Sequence, residues 1–220
     1  MTNLEDAQVA VEAGADFIGF IFYEPSPRYV APEAVQEIIT QLSLTVPEAS
    51  ETRPLFVGVF VNEAVEKIRQ IMDYCRLDAI QLHGDESPED VIQFKGQAYK
   101  ALRPKSHEEA DALVEKFTPS PTANHLPSLL LDAYHPTLYG GTGHVTDWRM
   151  AANIARRSPI MLAGSLTPAN VTEAIQAVEP WGVDVSSGVE LSKGKKDHRK
   201  VRAFVEAVKR LEHKTKSTHY

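Results

Sequence analysis

Short apolar and β-branched runs, each ended by a polar residue or a glycine, recur along the chain: Phe17 to Tyr23, Leu55 to Val61, Ala79 to Leu82, Ala98 to Leu102, Ser128 to Leu131, Pro159 to Ala163 and Gly182 to Val185. Their apolar character is continuous rather than alternating, as in parallel strands covered on both faces. Between them lie amphipathic stretches opened by proline or a capping side chain, at Pro32, Asn62, Ser87 with Pro88, Ser106 with Glu109, Asp147, and Thr167 with Pro168. A last helix is predicted from Asp197 to Arg210. Upstream of the first run, Thr2-Asn3-Leu4-Glu5-Asp6-Ala7 reads as a cap and a helix that stops at Gly14.

This alternation of strand and helix predicts an α/β fold with a parallel sheet. Right-handed crossovers leave an open doubly wound sheet or a closed eightfold barrel. A helix that opens a β/α series should follow a strand, and eight helical segments stand against seven strands. The expectation is a (β/α)8 TIM barrel lacking its first β-strand in this chain. At 220 residues the chain sits at the compact end of the range of about 200 to 250 for such barrels, so one domain over 1–220 is expected. Two stretches, Ser43 to Pro54 and Thr118 to Pro127, read as linkers where helices return to strands. The tail from Lys209 to Tyr220 reads as a frayed end.

A hydrophobic share of 43% supports a large core, and a formal net charge of −7 argues against a nucleic-acid partner. Any anionic ligand must therefore be held locally. No apolar run approaches the roughly 18 residues of a membrane span, so no membrane partner is expected. Glu5, Asp6, Glu12 and Asp16 are out of place in a signal peptide, so a cytoplasmic location is expected. The single cysteine, Cys75, excludes an internal disulfide and a cysteine metal cluster, and reads as a packed thiol. The histidines form no HExxH or other metal-ligand spacing, so no metal is expected.

In parallel α/β proteins, chemistry gathers beyond the carboxyl ends of the strands. After the first run, Tyr23-Glu24-Pro25-Ser26-Pro27-Arg28-Tyr29 is a proline-stiffened loop ending in a guanidinium. Arg28 is either a bidentate clamp for a carboxylate or phosphate, or a surface arginine paired with Glu24 or Glu33. After the third, His83 precedes a glycine turn, either facing the mouth as a ligand donor or serving the turn. After the fifth comes Leu129-Leu130-Leu131-Asp132. An aspartate there can have its pKa raised by desolvation, which suits a general acid, and the alternative is a turn-forming Asp. Beyond it, Gly140, Gly141, Thr142 and Gly143 read as a mobile loop over the site. The last two strand ends carry Gly164-Ser165 and Asp184-Val185-Ser186-Ser187-Gly188, whose small residues expose backbone N–H groups where barrels often bind phosphate. Gly194-Lys195-Lys196 lacks the P-loop spacing and reads as a solvated bend.

Taken together, Ser26-Pro27-Arg28-Tyr29, Gly58-Val59-Phe60-Val61-Asn62, Gln81-Leu82-His83-Gly84, Leu131-Asp132, Gly140-Gly141-Thr142-Gly143 with Asp147-Trp148, and Asp184-Val185-Ser186-Ser187-Gly188-Val189-Glu190 closely resemble the phosphoribosylanthranilate isomerases of tryptophan biosynthesis. The resemblance runs in order through essentially the whole chain. It implies a cofactor-free barrel that performs an Amadori rearrangement of N-(5-phosphoribosyl)anthranilate, a small phosphosugar, as a monomer or homodimer. It further implies that Asp132 is the general acid and that Arg28 binds the anthranilate carboxylate. Gly164, Ser165, Ser186, Ser187 and Gly188 fall at the phosphate loops, while His83 and Asp184 line the pocket.

The family's general base is a cysteine in a Lys-Ile-Cys-Gly motif on the first strand, directly before the stretch that begins at Thr2. Met1 stands where that motif should have ended, and Cys75, on a helix, cannot replace it. The resulting expectation is a chain of weak stability that associates through open sheet edges and turns over little, or a binding barrel completed by a partner. Two smaller departures are Ser165 in place of a second glycine and His144 in place of a lysine. Indole-glycerol phosphate synthase would need a catalytic lysine on a strand, and a pentose phosphate epimerase would need metal-ligating histidines; neither pattern is read here.

Overall fold

The computed structural model describes residues 1–45, 53–118, 125–132 and 147–217. It opens with α1 (Leu4–Ala13), whose N-cap Asn3 accepts from the Asp6 N–H. Its end is set by Gly14, which at φ 91° takes the left-handed conformation and returns its N–H to Ala10 and Val11. Strand and helix then alternate: β1 (Phe17–Ile21), α2 (Pro32–Thr45), β2 (Leu55–Phe60), α3 (Val65–Cys75), β3 (Ala79–Leu82), α4 (Pro88–Ile92), β4 (Ala98–Leu102), α5 (His107–Phe117), β5 (Leu129–Leu131), α6 (Trp148–Ala155), β6 (Ile160–Leu162), α7 (Val171–Val178) and β7 (Gly182–Val183). A 3₁₀ turn (Ser187–Val189) leads into a small hairpin of β8 (Glu190–Ser192) and β9 (Lys195–Lys196), and α8 (His198–Ser217) closes the series.

Strands β1 to β7 form one parallel sheet in sequence order, with β1 and β7 as its end strands among the described residues; the outer edge of β1 takes an isolated parallel bridge from Tyr29 to Ile21, and the Met1 amine donates to the Gly19 carbonyl. Helix α1 packs against both α2 and α8, so the helical layer passes across the side where the two sheet ends lie. Two cores result. The outer one, between sheet and helices, takes Ile18, Phe20, Phe56, Ile80, Leu129 and Leu131. The inner one, in the curve of the sheet, takes Val57, Ala79, Tyr99, Leu130 and Met161. Neighbouring leucines of β5 thus point into different cores, which is why the strand runs show no polar alternation.

Several helix boundaries differ from expectation for reasons visible in the loops. Asn62 precedes α3 at φ 53°, and its side chain accepts from the Asp85 N–H rather than capping the helix. Helix α7 starts after Asn170, whose Oδ1 accepts from the Thr167 N–H. Helix α8 continues past Arg210 to Ser217, so the expected frayed tail is helical over most of its length. The hairpin β8–β9 was too short to register as strand in the sequence.

Cys75 ends α3 as a buried thiol whose Sγ donates to the Pro32 carbonyl at 3.3 Å. Burial, then the charge of Glu33, pushes it up to about 11. It does not line the pocket described below.

A polar clasp joins the chain ends. Asp6, 1% exposed, accepts from Asn3 Nδ2 (2.8 Å), from the Lys196 N–H (2.8 Å) and from His198 Nε2 (2.9 Å). Burial would raise the Asp6 carboxyl, but the Lys196 backbone donor, Asn3 and His198 outweigh it and hold it below its ordinary value. A depressed carboxylate contributes stability that is complete above its unfolded value, about 4, and lost as pH falls through the folded value. Asp6→Ala is therefore expected to cost about 1–3 kcal/mol near neutrality by orphaning a buried N–H. Denaturant titrations from neutral to acid pH should show the difference from the unaltered chain shrinking below the carboxylate range.

Candidate active site

Beyond the carboxyl ends of the strands lies an open pocket with a cavity of about 170 Å³, lined among others by Arg28, Gln81, His83, Tyr99, Asp132, Asp184, Glu190 and Lys196. A smaller cleft adjoins it. That cleft is lined by Gly164, Ser165, Ser186, Ser187 and Gly188 and shares Asp132 and Asp184 with the pocket. All the candidate residues that fall within the described part of the chain meet in this pair of cavities. Gly140, Gly141, Thr142, Gly143 and His144 lie outside the described residues.

His83 is held from several sides. Its backbone N–H donates to the Phe60 carbonyl at 2.8 Å, and its Nδ1 lies 2.6 Å from Gln81 Nε2. The following Gly84 donates to both oxygens of Glu86 (3.1 and 2.9 Å), and its carbonyl accepts from Lys100 Nζ at 2.8 Å. A Cβ at Gly84 would meet the Asn62 backbone nitrogen at 2.7 Å, so only glycine fits. Lys100 lies within β4, 4% exposed, and also donates to Leu82 and Ala101 while pairing with Glu86 at 3.2 Å. Burial lowers its pKa, and Glu86 opposes that shift. A lysine thus lies within a strand, but not as a catalytic one. Its ammonium serves backbone carbonyls on the outer face, near the Phe117 ring, and does not line the pocket.

Asp132 follows β5, buried, with its N–H on the Leu102 carbonyl and its Oδ2 3.4 Å from His83 Nε2. Asp184 reaches the pocket space at the end of β7. Its surroundings raise its pKa, first through desolvation and second through the charge of Asp132. Two carboxyls in one site, one of them with its pKa raised by burial and by the other's charge, is an arrangement suited to acid–base work.

Arg28 binds neither Glu24 nor Glu33. Its Nε and Nη2 form a two-pronged pair with Glu190 at 2.7 and 2.8 Å. Burial would raise the Glu190 carboxyl, but Arg28 and Lys196 together hold it below its usual range. Lys196, expected in a solvated bend, is instead 7% exposed; its Nζ donates to the Ser186 carbonyl at 2.9 Å and lies 3.5 Å from Glu190. Around Glu190, two cations, Arg28 and Lys196, thus stand against one carboxylate, a locally positive cluster on an acidic chain.

The two small-residue turns pack backbone to backbone. Gly164 and Ser165 sit at φ 91° and 54°, and a Cβ on Gly188 would overlap the Leu166 carbonyl. Sequence reading missed Gln81, Tyr99, Lys100 and Lys196. The available signal was a polar side chain inside an otherwise apolar strand run for the first three.

Comparison with known proteins places this geometry in context. Residues 1–207 match the family model of N-(5'phosphoribosyl)anthranilate (PRA) isomerase. The N-(5'-phosphoribosyl)anthranilate isomerase of Pelobacter propionicus is 44% identical over 209 residues, covering 95% of this chain and 92% of that protein. The crystal structure of phosphoribosyl anthranilate isomerase from Thermotoga maritima superposes with a TM-score of 0.81 at 36% identity, covering 95% of each chain. A further structure, of an isomerase in complex with reduced 1-(o-carboxyphenylamino)-1-deoxyribulose 5-phosphate, gives a TM-score of 0.77 at 35% identity, again covering 95% of each chain.

Two substitutions check the phosphate-side turns. Gly188→Ala is expected to disorganise the cleft, with amide exchange near Leu166 and Ser187 accelerating more than in the outer core. Ser165→Gly removes a left-handed strain of about 1 kcal/mol, and is expected to leave the melting temperature unchanged or raise it by a few degrees.

Proposed function

Because the chain belongs to the N-(5'-phosphoribosyl)anthranilate isomerase family, we propose that it catalyses the Amadori rearrangement of tryptophan biosynthesis, opening an aminoaldose ring and delivering the aminoketose. The observation that carries this reading is the meeting of Arg28, Asp132 and Asp184 in one pocket beside the Gly164-Ser165 and Ser186–Gly188 turns. These features match the two ends of a substrate that has a carboxylate on its aromatic ring and a phosphate on its sugar.

In this reading Arg28, steadied by Glu190, receives the anthranilate carboxylate, and the two turns receive the phosphate through backbone N–H groups. Asp132 gives its proton to the furanose ring oxygen as the bond from that oxygen to C1 breaks. The nitrogen lone pair forms the C=N bond of the Schiff base. A general base then removes the C2 proton, and the enolamine tautomerises to the ketone. No cofactor takes part in these steps. Asp184, at the end of β7 and beside Asp132, fits a partner for the sugar hydroxyls.

The architecture we propose is one domain, a (β/α)8 barrel in which the eighth ladder position lies between β1 and β7. The position of those two strands at the ends of the sheet and the helical layer that spans them support it. A strand bearing the family's cysteine fits that position. The activity and the absence of a membrane-spanning helix among the described residues are consistent with a cytoplasmic enzyme.

Calorimetric titration with the reduced product analogue tests the site directly. Binding is expected, weakened about 10- to 100-fold in Arg28→Ala, the loss of one or two charge-assisted hydrogen bonds. No binding by the unaltered chain would sink the reading. Adding an N-terminal segment with the Lys-Ile-Cys-Gly motif is expected to raise turnover by about 10²- to 10⁴-fold, the usual range for a positioned base. In that extended chain, Asp132→Asn should abolish most turnover while analogue affinity stays within a few-fold.

A further inference from the structure

Gln81 and Tyr99 are buried polar side chains at the floor of the pocket, and the acid–base steps above give them nothing to do. Both sit in mid-strand, where an apolar residue would pack at lower cost. His83 Nε2 is buried in the same place and makes no hydrogen bond among the described residues, although Asp132 Oδ2 lies 3.4 Å away.

The amide of Gln81 lies with its oxygen toward Tyr99 and its nitrogen toward His83, and that orientation sets the direction of the hydrogen bonds. The Tyr99 hydroxyl donates to Gln81 Oε1 at 3.2 Å, which turns the amide nitrogen toward His83. That nitrogen, Nε2 of Gln81, lies 2.6 Å from His83 Nδ1. An amide nitrogen has no lone pair to offer, so Nδ1 must be the acceptor. The imidazole then carries its proton on Nε2, the atom that faces Asp132. A proton on Nδ1 would instead confront the amide N–H.

We infer that Tyr99 and Gln81 are positioning residues that fix His83 as the Nε2–H tautomer and aim that N–H at the carboxyl of Asp132. The inference rests on Asp132 being the general acid. An Nε2–H group donates to a carboxylate and cannot accept from a carboxylic acid. It therefore favours the charge that Asp132 acquires after passing its proton to the ring oxygen, and leaves the other carboxyl oxygen as the one that carries the proton. His83 neither gains nor loses a proton in the step; its 3.4 Å approach tightens as the charge develops, as catalytic hydrogen bonds do between resting and reacting states. The backbone braces on His83 and Gly84 from Phe60, Glu86 and Lys100 hold the ring's origin fixed while this happens.

Long-range ¹H–¹⁵N correlation NMR on histidine-labelled protein reads the tautomer without substrate, with His83 signals assigned by their loss in His83→Asn. The unaltered chain is expected to hold the proton on Nε2. Gln81→Glu keeps the side-chain shape but replaces the donor with an acceptor, so the proton should appear on Nδ1; Tyr99→Phe, which frees the amide to rotate, should mix the two forms. In the chain extended with the cysteine-bearing segment, Gln81→Glu should lower kcat by about 10- to 100-fold, as loss of an orienting partner commonly does, with a much smaller change in analogue affinity. An Nδ1–H ring in the unaltered chain, or a tautomer unmoved by Gln81→Glu, overturns the inference. So does a moved tautomer with kcat unchanged. The expected tautomer shifts together with failure to bind the analogue would support the relay and overturn the isomerase reading alone.

Discussion

Burial of the parallel strands on both faces is the constraint from which the rest of the structure follows. With Leu130 in the inner core and Leu129 and Leu131 in the outer one, β5 has no solvent side. Polar chemistry can therefore emerge only where the strands end, and the residues that emerge there are Asp132, His83 and Asp184. Any polar side chain left within a strand must find partners inside the protein, since an unpaired one is costly. Lys100 meets that demand with three carbonyls and Glu86 on the outer face, while Gln81 and Tyr99 meet it with each other and His83 on the inner face. The polar exceptions to the core are thus the supports of the site.

That constraint also decides what the sequence could tell. The seven strands were legible because continuous apolar runs have few other uses, and the runs Ala79–Leu82 and Ala98–Leu102 match their strands end to end. The strand-end rule then found Asp132, His83, Asp184 and the small-residue turns, since in this architecture position along a strand fixes position in the pocket. Helix starts at Asn62 and Thr167 were less legible, because Asn and Thr serve loops as readily as caps; here Asn62 secures Asp85, and Thr167 donates its backbone N–H to Asn170. Pairings between distant parts of the chain left no local trace. Nothing near Arg28 announces Glu190, and nothing near Lys196 announces Asp6.

The electrostatics follow from the same geometry. On a chain of net charge −7, long-range attraction does not help an anion approach, and screening would erase most of it within about 10 Å. Recognition must come from cations held in place, and a partly buried guanidinium needs a fixed partner to stay oriented. Glu190 supplies that partner, using the Nε and one Nη of Arg28 and leaving further N–H donors for a ligand. Lys196 offsets the charge of Glu190, so the cluster keeps a net positive character even with its carboxylate ionised.

Lys196 also ties the site to the closure of the fold. Its backbone N–H donates to Asp6 in the clasp between α1 and α8, while its ammonium donates to the Ser186 carbonyl at the small-residue turn. The side of the molecule between β1 and β7 is thus joined, among the described residues, by side-chain bonds from α1, β9 and α8. A ladder of strand hydrogen bonds is rigid along its whole length, whereas a clasp fixes only the points it touches. Here those points are the carboxyl-end loops: Asp6 anchors the hairpin that carries Lys196, and the hairpin carries Glu190, which holds Arg28. The order of the anion-binding cluster therefore depends on Asp6, and a change in one buried carboxylate reaches the mouth of the pocket through four residues.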